Sequence, residues 1–149
     1  MAETTGIING SDLRVMLEAD GTTPVMVDNL TDCSISVTTE MKDTTTKSNA
    51  GYRALLPGMH SATITFSAMY ASDATNGFNE IIDHQINKTK LDVKFTHIVG
   101  TGSTENVGDE RFTVEAFVTS CDLNGGTEDN STFTITLDVV GTITREVIA

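Results

Sequence analysis

The chain has no tryptophan, two tyrosines, two prolines and two cysteines, and only nine lysines and arginines among 149 residues. Each shortage closes a class of function. Sugar-binding modules stack ligands on several exposed aromatic rings, and Tyr52 and Tyr70 alone make a poor platform. This argues against a secreted or surface carbohydrate-binding sandwich. Cys33 and Cys121 stand far apart and form no Cys-x-x-Cys pair, so neither a disulfide scaffold nor a zinc ribbon is indicated. They read as small buried hydrophobes in a reducing compartment, with contact across a sheet left open. The cations are scattered at Arg14, Lys42, Lys47, Arg53, Lys88, Lys90, Lys94, Arg111 and Arg145. Such a set cannot displace counterions from a nucleic-acid backbone or hold an anionic membrane. No apolar run approaches the roughly 20 residues of a spanning helix. Met1 to Gly10 is polar and lacks the apolar centre of a secretion signal.

Abundance tells the other half. Twenty-one aspartates and glutamates give a net charge of −12, whose plainest meaning is solubility. An apolar fraction of 38% fits one compact domain over residues 1–149. Threonine is abundant, and it sits in runs of period two. In Leu30 to Met41, Cys33, Ile35, Val37 and Met41 alternate with Asp32, Ser34, Ser36, Thr38 and Glu40. In His60 to Tyr70, Ala62, Ile64, Phe66, Ala68 and Tyr70 alternate with Ser61, Thr63, Thr65 and Ser67. Phe112 to Thr119 and Thr132 to Val139 repeat the pattern, and shorter runs lie at Leu13 to Ala19, Val25 to Asn29 and Lys90 to Val99. Strands with one dry and one wet face predict a mainly β protein, an antiparallel sandwich or barrel.

One segment follows another period. Phe78, Ile81, Ile82 and Ile86 form a single helical stripe, with Asp73 and Asn76 as N-cap candidates and Asn87 as a C-terminal stop. A flanking helix over about 74–87 would cover an open part of the sheet. Asp20-Gly21 predicts a hairpin turn, Leu123 to Ser131 a longer hairpin loop, and Gly100 to Asp109 a Gly- and Thr-rich loop. Lys42 to Met59 has neither period although it joins two strong strands. A connection of that length in a small domain is uncommon and points to function.

Catalytic patterns are missing. His60, His84 and His97 have no ligand spacing and read as structural histidines. No nucleophile elbow or phosphate-binding glycine pattern occurs, and no cofactor is indicated. Asp122, Asn124, Asp129 and Asn130 offer calcium-type oxygens but lack the EF-hand order, so a hairpin loop is the better reading. An enzyme is the least supported class.

Several stretches carry a likeness. Asn9-Gly10-Ser11-Asp12-Leu13, Ser34-Ile35-Ser36-Val37, Asp43-Thr44-Thr45-Thr46-Lys47, Gly51-Tyr52 and Leu55-Leu56-Pro57-Gly58 stand in order. With the Ser/Thr strand ending in Met69-Tyr70 and the late run Asn130 to Phe133, the chain resembles the major tail tube family of long-tailed bacteriophages. The likeness is most specific from Ser34 to Tyr70. It implies six-membered rings of a small β-sandwich stacked into a hollow tube. Double-stranded DNA would pass through that tube. Further implied partners are tape-measure, tail-terminator and distal tail proteins. The place implied is the virion tail, assembled in the host bacterial cytoplasm. The long loop would reach neighbouring copies through Asp43, Lys47, Tyr52, Arg53, Leu55, Leu56 and Pro57. An N-terminal arm, residues 1–11, and Arg145 to Ala149 would add contacts. The tube of a contractile tail, or of a related injection or secretion system, would look similar.

Under that reading the charge gains a purpose. Six copies at −12 carry −72 per ring, facing a duplex with about one charge per 1.7 Å of axis. Repulsion screened over about 8 Å would act as a short-range non-stick coating. Asp32, Glu40, Glu115 and Asp138 alternate with core residues and are candidates for the bore wall. The alternative is that they face the outside.

Overall fold

The computed structural model describes residues 5–19, 25–98 and 105–149. Seven strands and one helix follow in the order β1 Leu13–Ala19, β2 Val25–Met26, β3 Leu30–Asp43, β4 Leu55–Met69, α1 Phe78–Ile86, β5 Leu91–His97, β6 Glu110–Asn124 and β7 Thr132–Val147. All pairings are antiparallel, and the strands form one sheet in the order β2-β1-β5-β6-β7-β4-β3. The sheet does not close. Its two halves take the place of the two sheets of a sandwich. Val15 and Leu17 of β1 and Val93 of β5 share one core with Ile64 and Phe66 of β4 and Ile135 and Leu137 of β7.

The period-two alternation supplies that core. Ile64 on β4 stands opposite both Ile35 on β3 and Leu137 on β7, and Phe66 stands opposite Cys33 and Ile135. Val15, Ile64, Val93, Ile135 and Leu137 have no exposed surface. Burying such side chains stabilises by about 1.5–3 kcal/mol each. Ile81 of α1 is equally buried, and Phe78 meets Tyr70 and Phe133 with ring centroids 6.2 and 5.9 Å apart.

Several boundaries differ from those the pattern predicts. The connection expected to lack structure over Lys42 to Met59 is strand at both ends: β3 continues to Asp43 and β4 begins at Leu55. Only residues 44–54 connect them, with a 3-10 turn at Lys47–Asn49. Period two is blurred there because both faces of the pair are wet, so no apolar face marks the register. A bulge between Thr39 and Met41 adds to this by shifting the alternation. The helix starts later than 74. Its N-cap is Gly77, which has no side chain, and neither Asp73 nor Asn76 takes that place. Glu80 instead accepts the backbone N–H of Asn76 at 2.9 Å. Asn87 is the C-cap, as the stop signal implies. Ile86 leaves the stripe and is 70% exposed. Val25 to Asn29 keeps only two strand residues, since Asn29 turns at φ +58°. The Asp20-Gly21 turn, residues 100–104 of the Gly100 to Asp109 loop and the first four residues lie outside the described residues.

Candidate functional site

The two surfaces singled out by the sequence are the wet face of the long strands and the connection between β3 and β4. Register decides what the first looks like. Beside Thr63 and Thr65 of β4 stand Ser36 and Ser34 on one side, and Asp138 and Thr136 on the other. Beside Ser67 stand Asp32 and Thr134. On β6, Ser120 and Asp122 stand opposite Thr136 and Thr134. Hydroxyls and carboxylates therefore form rows across β3, β4, β7 and β6 at Thr65 and Ser67, while the row through Thr63 and Asp138 ends on the exposed Phe117 of β6. Within a row Ser67 Oγ and Thr134 Oγ1 are 3.1 Å apart, and between adjacent rows, along β6, Ser120 Oγ donates to Asp122 Oδ2 at 3.3 Å. No lysine, arginine or histidine occurs in Leu30–Thr38, Ser61–Met69, Glu115–Asn124 or Thr132–Val140. Over these spans the face is acidic and hydroxylated; the cations of the same strands, Lys42, Arg111 and Arg145, lie beyond them.

The four expected wall residues separate in this geometry. Asp138 is exposed within a row, and Asp32, also exposed, ends its row on the edge strand β3, where it lines a cleft with Arg14 of β1. Glu115 shares the face but stands 3.2 Å from Lys90 Nζ, which offsets its charge. Glu40 lies on the bulge of β3, away from the rows. Asp122 joins the face although alternation counted from Phe112 puts it on the other side. A bulge at Thr119 switches the parity of β6, so that Cys121 and Leu123 follow Val118 on the core side. Gln85 of α1 donates to the Thr119 carbonyl at 3.2 Å, supplying a partner at the irregularity. The only signal available in sequence is that apolar residues pass from even to odd numbers between Val118 and Cys121.

Cys33, Phe66, Ile135 and Cys121 form one row across four strands. Three strand spacings separate the cysteines by roughly 14 Å, beyond the roughly 7 Å that a disulfide spans. Both are free thiols. Burial, then the nearby Asp122, pushes Cys121 up to about 11, and burial with Asp32 raises Cys33.

The second surface is a two-stranded arm. β4 pairs with β7 only from Thr63 to Met69, because β7 bends away at Gly141 (φ +82°). Leu55 to Ala62 pair with β3 alone. Eight residues at about 3.3 Å each give an arm of roughly 25 Å. At its tip, Ala50 and Gly51 take consecutive left-handed conformations. Asp43 accepts the N–H of Thr45 at 2.8 Å, and hydrogen bonding from the Thr45 hydroxyl, then from this N–H, holds its carboxyl below the usual range. Thr45 Oγ1 in turn accepts the N–H of Ala54 at 2.9 Å, closing the base of the turn. No side chain from Lys42 to Met59 is buried. Tyr52 is 78% exposed and Leu56 57%. Asp43, Lys47, Tyr52, Arg53, Leu55, Leu56 and Pro57 are all on this arm, so the structure brings the expected contact residues together. The fork between arm and β7 is a groove lined by Val37, Met59, Ala62, Val139 and Ile143.

The chain end behaves differently. Arg145 to Val147 pair with Glu110 to Phe112 of β6, and Ile148 donates to the Asp109 carbonyl at 2.8 Å. The expectation of intermolecular contacts there meets a segment already engaged in its own sheet. Arg111 fixes it further, with Nε 3.0 Å from Glu146 and Nη1 2.6 Å from Glu105.

A family model described as phage tail tube protein matches residues 7–145. The chain belongs to the phage tail tube protein family. Solved structures agree in fold. The tail of an empty gene transfer agent particle, refined with C6 symmetry, superposes with a TM-score of 0.77 at 19% identity, covering 95% of this chain and all of that one. The SPP1 tail tube gives 0.74 at 14% identity, covering 96% of this chain and 81% of that one. A chain of the anti-feeding prophage baseplate, symmetrised six-fold, gives 0.70 at 10% identity over 97% and 98%. No curated protein matches. This tail tube protein is a structural protein of the virion tail. Among its described residues no helix is long and apolar enough to cross a membrane.

Proposed function

We propose that this tail tube protein assembles as six-membered rings stacked into a hollow tube, with the wet face of β3, β4, β7 and β6 turned to the bore. The observation that carries this reading is the row of hydroxyls and carboxylates without a single cation. An outer surface needs only to be soluble, and mixed charge serves that as well. A wall past which duplex DNA must slide needs to be wettable and repulsive. Hydroxyls keep water at the surface, and Asp32, Asp122 and Asp138 repel phosphates at short range. Glu115 contributes less because of Lys90. Sheet geometry supports ring formation: β3 and β2 are the edges of an open sheet, and edge strands need a partner or protection. Joining β3 to a neighbouring copy would satisfy its free backbone groups. Tape-measure, tail-terminator and distal tail proteins are the partners this reading implies at the tube's interior and ends.

Negative-stain microscopy of the concentrated purified protein tests it, with hollow tubes as the expected result. A protein that stays monomeric at every concentration, and with every tail component added, contradicts it. The wall is tested separately by Asp32→Lys with Asp138→Lys in the virion. Tubes should form and DNA ejection should slow or stop; normal ejection removes the non-stick role. The likeness to the anti-feeding prophage chain favours a second reading, the tube of a contractile tail or injection system. A neighbouring sheath gene would decide for it.

A further inference from the structure

An asparagine followed by glycine can react with its own main chain. The glycine nitrogen attacks the side-chain carbonyl carbon, and glycine leaves that approach open because it has no Cβ and wide backbone freedom. Three such pairs occur, Asn9-Gly10, Asn76-Gly77 and Asn124-Gly125. The fold treats them differently.

Two are held. Asn9 caps the 3-10 turn Gly10–Asp12, and its Oδ1 accepts the Ser11 N–H at 3.1 Å. Asn76 Nδ2 donates to the Val25 carbonyl at 2.8 Å, and Gly77 is buried as the N-cap of α1. Asn124 is free of such restraint. It occupies the last paired position of β6, opposite Thr132, and among the described residues no hydrogen bond engages its side chain. Asn124, Gly125 and Gly126 are all exposed, so water reaches the amide. Two successive glycines follow the end of the ladder, and they leave the chain free to turn the Gly125 nitrogen onto Asn124.

The position gives the reaction a consequence. After the β6 bulge, Asn124 follows Ser120 and Asp122 on the wet face. We propose that Asn124 is a self-modifying site, which deamidates to aspartyl and isoaspartyl forms and so adds a carboxylate to the wet face as the protein ages. The Gly125 nitrogen bonds to Asn124 Cγ and the Cγ–Nδ2 bond breaks. Nδ2 leaves as ammonia, carrying the proton of the Gly125 N–H. Water then opens the cyclic imide at either carbonyl. One opening gives aspartate, the other isoaspartate, whose main chain runs through the side-chain carbon. In sum, water is consumed, ammonia is released and nothing is oxidised. Each copy gains one negative charge beside Asp122. That this charge strengthens repulsion in a bore rests on the ring-and-tube reading; the reaction itself does not.

Ageing the purified protein in warm, mildly alkaline buffer tests the site, with peptide mapping by mass spectrometry at all three asparagines. In the folded protein Asn124 should convert first, while Asn9 and Asn76 stay amides. In urea, where the fold no longer protects any pair, the three should convert at similar rates. Folded protein in which Asn124 converts no faster than the other two overturns the proposal. Gly125→Ala tests the route. Gly125 has no left-handed φ, and a Cβ there would meet the Ser131 Oγ at 3.3 Å, a hydroxyl able to rotate aside. This variant should lose most conversion at Asn124 with its thermal unfolding unchanged. Should it fail to fold, the amide introduced by Asn124→Gln should persist, since its longer side chain closes a less favourable ring. Conversion at the wild-type rate in either folded variant overturns the cyclic route. Tubes that form while Asn124 stays an amide defeat this site and leave the tube reading standing. A protein that converts at Asn124 yet never assembles keeps the site and defeats the tube reading alone.

Discussion

At the scale of single residues, neighbours decide what each group can do. Cys121 sits against Asp122 on a half-buried strand, and its thiol is raised from 9.0 to about 11. The thiolate is the reactive form. At pH 8 the thiolate fraction is about 100-fold below that of an unperturbed thiol, a factor of ten for each unit. Alkylation of Cys121 should be slower by about that factor, and labelling at the rate of free cysteine would show that the β6 bulge is misplaced. Glu146 is lowered from 4.5, first by its hydrogen bond from Arg111. A carboxylate held low in the folded state contributes stability above its unfolded value and loses it as pH falls through the folded one. The melting temperature of Glu146→Gln should lie below wild type at pH 7, and the gap should close as pH drops below 4.5. A constant gap would mean that packing, not charge, anchors the last strand.

Elements divide into those that build the core and those that leave it. Ile64 lies in the first group, between Ile35 and Leu137. Ile64→Ala should cost roughly 2–5 kcal/mol, read as a lower denaturant midpoint at unchanged slope. The arm lies in the second group. Deleting residues 43–58 removes no buried side chain, so the remaining domain should melt near the wild-type temperature yet form no tubes. Normal tubes from the deletion would reduce the arm to decoration. This division also explains what was legible. Strands with one dry face announce themselves, as Ala62 to Ala68 do, because burial selects apolar residues at every second position. The arm has no dry face, so its strands at Lys42-Asp43 and Leu55 to Met59 look shapeless. Asp122 is not legible as a residue of the wet face because a bulge resets parity without leaving a residue of its own. Gly77 as N-cap was equally hidden, since a capping site without a side chain carries no signature.

The whole molecule is polar in the geometric sense. One end is a basic arm with apolar tips, the other an acidic hairpin, and between them runs a face of hydroxyls and carboxylates. Net charge alone reports −12 and conceals this arrangement. Distribution matters more than the sum: carboxylates on the wet face would repel a passing duplex, while the arm gathers Lys42, Lys47 and Arg53. On assembly the wet face should become an interior surface. Ser36→Cys places an exposed thiol in the hydroxyl rows, opposite Thr63. In dispersed protein, a small maleimide and a bulky polymer-tethered maleimide should both label it. In assembled tubes, the small reagent should still react and the bulky one should not. Equal labelling of assembled tubes by both reagents would place this face on the outside.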